Sequence, residues 1–161
     1  MNPEAITWHL TEKSPSFHLA EEAAFWALTK KATEILLLDL RGRSDVCDFF
    51  LICTGLADVQ VKAIAKAVRD GLEPHGHRLL HSEGLAEARW ALLDYVDLVV
   101  HIFLPETRAY YLLERLWGDA PRVAVDEAYF TITSVRQRHS DLPVIAAGGS
   151  VALDNSGSDT R

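Results

Sequence analysis

The apolar positions of this chain change period several times, and each change marks an element. From His18, the stretch LAEEAAFWALTKKA is rich in strong helix formers. Ala20, Ala24, Phe25, Leu28 and Ala32 fall on one side of the predicted helix, with Ser16 as its cap and Glu21 and Glu22 near its positive end. Ile35-Leu-Leu-Leu38, between Glu34 and Asp39, is a short apolar run that reads as a strand covered on both faces. A polar turn, 41–45, leads to a second such strand, Phe49–Cys53, ending at Thr54-Gly55. Asp58 then opens a helix whose stripe is Val61, Ile64, Ala65, Val68 and Leu72, and Pro74 and Gly76 stop it.

The second half predicts more sheet. A third strand over about 77–82 lies at a distance suited to a βαβ crossover. Two runs, 89–94 and 97–104, are separated only by Tyr95-Val96, which forces an antiparallel hairpin. Pro105 starts a last helix, ETRAYYLLERLW, with Ala109, Leu112, Leu113 and Leu116 facing inward and Arg108, Tyr111 and Arg115 opposite. The sum is an α/β domain with one mixed five-stranded sheet and flanking helices, over 18–121. Residues 1–17, with Pro3 and Pro15, read as a mobile arm. Residues 122–161 read as a flexible extension, despite local strand character in AYFTIT (128–133).

Charge narrows the choice of partner. The chain carries 16 basic and 23 acidic residues in 161, a net −7. Residues 18–121 hold 11 basic and 16 acidic side chains, so −5 belongs to the expected domain and −1 to each end. Bare nucleic acid needs a basic footprint and is excluded as the main partner. A basic protein suits this balance better. No apolar run approaches the ~18 residues of a bilayer span, the start has no signal-peptide pattern, and Cys47 and Cys53 lack disulfide-scaffold spacing. A reduced, cytoplasmic protein is expected.

Candidate chemistry is thin. His75-x-His77 and His81 lack the companions of a metal site, and Thr54-Gly55 lacks the glycines of a phosphate cradle, so no metal or cofactor is expected. Asp39, Asp94 and Asp97 could serve a metal-dependent nucleotidyl transfer, but no D-x-D or D-x-E pair stands at a strand end. Alternation in the hairpin puts Trp90, Leu92 and Asp94 on one face of the first strand. On one face of the second it puts Asp97, Val99, His101 and Phe103. Trp90 there suits an interface anchor or a core residue.

Five motifs in order carry a resemblance: CDFFLICTG (47–55), VxxIA (61–65), EG (83–84), WxLLDYxDxVVHxF (90–103) and LERLW (113–117). Together they resemble the ribosomal silencing factor (Iojap-like) family over about 20–121. The resemblance implies a non-enzymatic protein with a nucleotidyltransferase-like fold lacking its catalytic residues. It implies binding to the large ribosomal subunit through ribosomal protein fourteen, blocking the small subunit and lowering translation when nutrients are short. A homodimer is implied for the free protein. Carried over, the partner-contacting residues are Trp90, Leu92, Asp94, Asp97, His101, Tyr111 and Glu114. The chain departs from the family at Val96, where the turn usually has glycine. Valine resists the positive φ of a tight primed turn, so a wider or different turn is expected.

Overall fold

The computed structural model describes residues 14–143. Helix α1 is Pro15–Leu28, capped by Ser14 rather than Ser16: the Ser14 hydroxyl accepts the Phe17 N–H at 3.2 Å, and Pro15 takes the first turn, where no N–H is needed. The expected arm therefore ends earlier, because Phe17 is fully buried against Phe49, ring centroids 5.8 Å apart. The rest of that arm, 1–13, lies outside the described residues. Strands β1 (Thr33–Asp39) and β2 (Phe49–Thr54) follow, then α2 (Asp58–Leu72), β3 (His81–Glu83), β4 (Trp90–Asp94) and β5 (Leu98–Phe103).

The sheet has six strands, not five, in the order β3-β4-β5-β2-β1-β6. The sixth, β6 (Arg122–Val125), pairs antiparallel with β1 from Ile35↔Val125 to Leu38↔Arg122. Its four residues are too few to show a period against the polar text around them. Only β2 and β5 pair in parallel; every other neighbouring pair is antiparallel. The α2 connection carries the chain from β2 past β5 and β4 to β3 at the edge.

Both long helices cover one face. Ala20, Ala24 and Leu28 of α1 and Val61, Ile64 and Val68 of α2 share one core with Leu37, Leu51, Val100 and Ile102. The helices approach closely at Gly71, where a Cβ would sit 2.3 Å from the Trp26 ring. The opposite face carries a smaller core of Leu38, Ile52, Val99 and Phe103, with Phe50, Trp90, Leu92 and Trp117 only partly buried.

The C-terminal residues depart most from expectation. Beyond β6, a 3₁₀ segment Glu127–Thr131 and helix α4 (Thr133–Arg138) pack on α1, so 122–143 belongs to the fold. The rest of the expected extension, 144–161, lies outside the described residues. The physical reason is Glu21, which is fully buried in α1 instead of solvated at its end. It accepts hydrogen bonds from Arg138 Nε at 2.9 Å and Nη2 at 2.8 Å, from His139 Nε2 at 3.1 Å and from the Tyr129 hydroxyl. Burial pushes its carboxyl up, but the bonds from His139, Arg138 and Tyr129 outweigh it and hold the group below its ordinary 4.5. Next to it, Glu22 pairs with His75, whose Nε2 reaches Asp141 at 3.3 Å. The first histidines of the His75–His81 run, His75 and His77, thus face the Glu22 carboxylate of α1.

The helix after Pro105 is shorter than expected and turned differently. Helix α3 is Pro105–Tyr111; Leu112 takes a left-handed conformation (φ 49°, ψ 48°) and a 3₁₀ segment, Leu113–Trp117, continues. Arg108, expected to face solvent, is buried. Its Nη1 donates to the Glu34 carbonyl at 2.6 Å and to Thr54 Oγ1 at 2.8 Å, and its Nε to Glu114 at 3.2 Å. Satisfying that guanidinium fixes the helix's rotation, which leaves Ala109 and Leu116 outside, the latter 74% exposed.

The hairpin turn is tight despite its valine. Tyr95 N–H donates to the Leu98 carbonyl at 2.8 Å and Asp97 N–H to Tyr95 at 3.0 Å, so the loop is Val96-Asp97. Val96 accepts φ +75°, and Asp94 Oδ1 takes its N–H at 2.8 Å. The turn is not widened but is of the other kind expected, since the Asp97 N–H bond back to Tyr95 closes a γ-turn over Val96 in place of the primed pair.

Two outcomes follow for stability. Replacing Val96 with glycine relieves a left-handed β-branched residue and should raise stability by about 1 kcal/mol in urea unfolding. Glu21→Ala removes the buried acceptor shared by Arg138, His139 and Tyr129 and should cost about 3 kcal/mol; an unchanged unfolding midpoint would contradict this role. Since the folded Glu21 carboxyl titrates below 4.5, its contribution is complete above that pH and lost as pH falls through the lower folded value. Amide exchange in α4 should accelerate over that acid range.

Candidate functional site

The open face of the sheet is built around the β4–β5 hairpin. Register pairs Trp90 with Phe103, Leu92 with His101 and Asp94 with Val99, so all six side chains share one face. Trp90 packs on Phe103 at 4.7 Å between ring centroids and on Tyr111 at 4.9 Å. Phe50, from the neighbouring β2, meets His101 edge-on at 4.5 Å and Trp117 at 6.2 Å. The result is a half-buried aromatic surface on the rigid centre of the sheet.

His101 orders this surface from beneath. The Trp90 indole N–H donates to its Nδ1 at 3.1 Å. An indole can only donate, so Nδ1 accepts and the neutral ring carries its proton on Nε2. That Nε2 is buried with no partner among the described residues, an arrangement that costs about 1–3 kcal/mol. Burial, at 4% exposure, also lowers the His101 pKa to about 4. His101 therefore stays an uncharged acceptor at neutral pH and reaches the surface only through Trp90.

The seven residues singled out in the sequence do not form one patch. Trp90, Leu92, His101 and Tyr111 come together. Asp94 and Asp97 sit at the turn end of the hairpin, roughly 13 Å along the strand from Trp90 at 3.3 Å per residue. Asp97 lies in the turn rather than on the strand face, where its main-chain carbonyl accepts the N–H groups of Asp48 and Phe49 at 2.9 and 3.0 Å. Glu114 is engaged by the buried Arg108, its Oε1 3.2 Å from Nε. Asp39 is buried and held by Arg41, its Oδ2 2.9 Å from Nη2. No group of three or more His, Cys, Asp or Glu among the described residues is placed to hold a metal ion. Burial pushes the Cys47 and Cys53 thiols up to about 11 and about 12, far from reactive values.

Residues outside the initial set complete the surface. Phe50 and Trp117 extend it, and neither stood out in a run of apolar letters. Gly84 supports it from behind the strand: it adopts φ +76°, and a Cβ there would lie 2.0 Å from the Trp90 carbonyl. The EG pair of the motif set thus lets the 84–88 loop press against the strand that presents Trp90. Its only sequence signal is a glycine after a short strand.

A sequence profile for the family described as "Ribosomal silencing factor during starvation" matches residues 11–147. The chain belongs to this family. The ribosomal silencing factor of Bacillus subtilis is 50% identical over 97 residues, which is 60% of this chain and 82% of that protein. The chloroplastic protein Iojap of Zea mays is 39% identical over 90 residues, 56% of this chain and 39% of the maize protein. Among solved structures, one from Chromobacterium violaceum superposes with a TM-score of 0.61 at 34% identity, covering 62% of this chain and 83% of its own. One from Bacillus halodurans gives 0.58 at 40% identity, covering 65% and 95%. A ribosomal silencing factor of this family regulates translation, and its fold is the mixed α/β sheet described above. Among the described residues, no helix is long and apolar enough to cross a membrane.

The His101 pKa yields a test. The unfolded chain takes a proton near 6.5 that the folded state resists until about 4. Stability is complete above 6.5 and declines as pH falls toward 4, by roughly 3 kcal/mol in all. His101→Phe keeps a ring in place and removes the titration. Urea midpoints measured across that window should show a flatter slope for the variant; equal slopes would refute the assignment.

Proposed function

We propose that this protein docks on the large ribosomal subunit through ribosomal protein fourteen and covers the surface at which the small subunit would join. Translation then falls when nutrients are short. The observation that carries this reading is the Trp90 face: a half-buried aromatic surface on the central strands, which neither long helix covers. Trp and Tyr at such a site anchor protein interfaces, since they bury much area at little entropic cost. The family description supports the silencing role, and the net −7 favours a basic ribosomal protein over RNA as the point of attachment.

The mechanism needs no bond to be made or broken. A rigid sheet presents Trp90, Leu92 and Tyr111, Asp94 and Asp97 add negative charge at the turn end, and the bound mass excludes the other subunit. Two of the three carboxylates a nucleotidyl transfer would use are otherwise engaged, Asp39 by Arg41 and Asp94 by the Val96 N–H. We read the protein as a cytoplasmic, non-enzymatic repressor that forms a homodimer when free.

The purified protein should co-sediment with isolated large subunits and suppress their joining to small subunits, followed by light scattering. Trp90→Glu should weaken the complex by about 30-fold or more, the loss of a hot spot worth at least 2 kcal/mol. Tyr111→Ala, at a half-exposed position, should weaken it less without disturbing the fold. Should saturating wild-type protein leave subunit joining unchanged, the reading fails.

A further inference from the structure

Beside Trp90 the surface sinks into an open hollow of about 410 Å³, lined by Tyr110 and Tyr111 and rimmed by Glu87, Arg89 and Glu106. Its rings do not stack on one another. Trp90 and Tyr111 are tilted by 50° at 4.9 Å, and Tyr111 and Tyr110 meet edge-on at 84° and 5.0 Å. Ring area therefore remains open, with Tyr110 80% and Tyr111 54% exposed. Aromatic faces carry negative potential and attract cations placed over them.

The rim adds to that potential. Glu87 and Glu106 are exposed and make no ion pair among the described residues, and the same holds for Arg89. Two free carboxylates stand against one guanidinium, which leaves an acid surplus at the mouth of an aromatic hollow. An uncharged guest would leave that surplus unmatched. A compact ammonium would satisfy the acids but stays strongly hydrated. A planar guanidinium can lie against a ring and still offer its edge N–H groups to a carboxylate.

We infer that the hollow between Trp90, Tyr110 and Tyr111 receives an arginine side chain of the docked protein partner, held by the rings and by Glu87 and Glu106. This rests on the reading of the Trp90 face as a protein-docking surface and names what that surface selects. Arg89 sits on the same rim as a like charge, so it tunes the site against weakly matched cations. Trp90 serves two ends at once: its N–H is occupied by His101 beneath, and the part of its ring not packed on Phe103 and Tyr111 faces the guest above.

The experiment follows the assigned Trp90 indole signal by NMR while N-acetyl-arginine amide is added, with N-acetyl-norleucine amide as the uncharged probe. A saturable shift with the arginine probe alone is expected. It should weaken by roughly five- to ten-fold in the exposed double variant E87Q/E106Q, the scale of a cation–aromatic contact with its charge partners removed. Arg89→Ala should bind as well as or better than wild type. An equal response to norleucine amide, a response that never saturates, or an unchanged curve in E87Q/E106Q overturns the proposal. Co-sedimentation with large subunits is run in parallel. Arginine binding without subunit binding would sink only the ribosomal reading, and the converse would sink only the hollow.

Discussion

The parallel pairing of β2 with β5 is the constraint from which the rest of the architecture follows. Two neighbouring parallel strands cannot be joined by a tight turn, so the chain between them must leave the sheet and return. Here it leaves through α2, enters the far edge as β3, and comes back through the β4–β5 hairpin. Helix α2 packs beside α1 on one face, and Gly71 lets the two lie close enough to share it. With both long helices on that side, the opposite face has, among the described residues, only the short α3 and 3₁₀ and loop segments to cover it. Its aromatic residues are exposed by topology.

That logic explains what was legible in the residues. Long apolar runs and a regular stripe marked β1, β2, α2 and the hairpin, because those elements bury whole faces. Alternation placed Trp90, Leu92 and His101 on one side, because a strand's period leaves no other choice. What could not be read depended on distant partners. Glu21 resembles any acidic residue near a helix start until Arg138, His139 and Tyr129 arrive from more than a hundred positions away. Arg108 reads as solvent-facing until the Glu34 carbonyl and Thr54 are beside it. β6 is four residues long and exists only as a partner of β1.

Local expectation also failed where strain is tolerated. Val96 and Leu112 both take positive φ without being glycine. At Val96 the turn is closed by its neighbours' hydrogen bonds and by the Asp94 carboxylate, so the strand pairing outweighs the residue's own preference. His101 is a parallel case in polar chemistry. An apolar residue would suit its burial better, but only an acceptor at that point can hold the indole of Trp90 in one orientation.

The ends of the sheet bear on how such a molecule meets others. Its two outer strands have three and four residues, and β3 sets His81 against Glu83, Nε2 to Oε1 2.8 Å apart. Short, charged borders offer a poor template for another strand to extend the ladder. A protein that displays aromatic rings on one broad face would otherwise risk growing sideways into stacked sheets. With its margins blunted in this way, stickiness is confined to the flat of the sheet, where a partner must match a shape rather than merely supply an extended backbone.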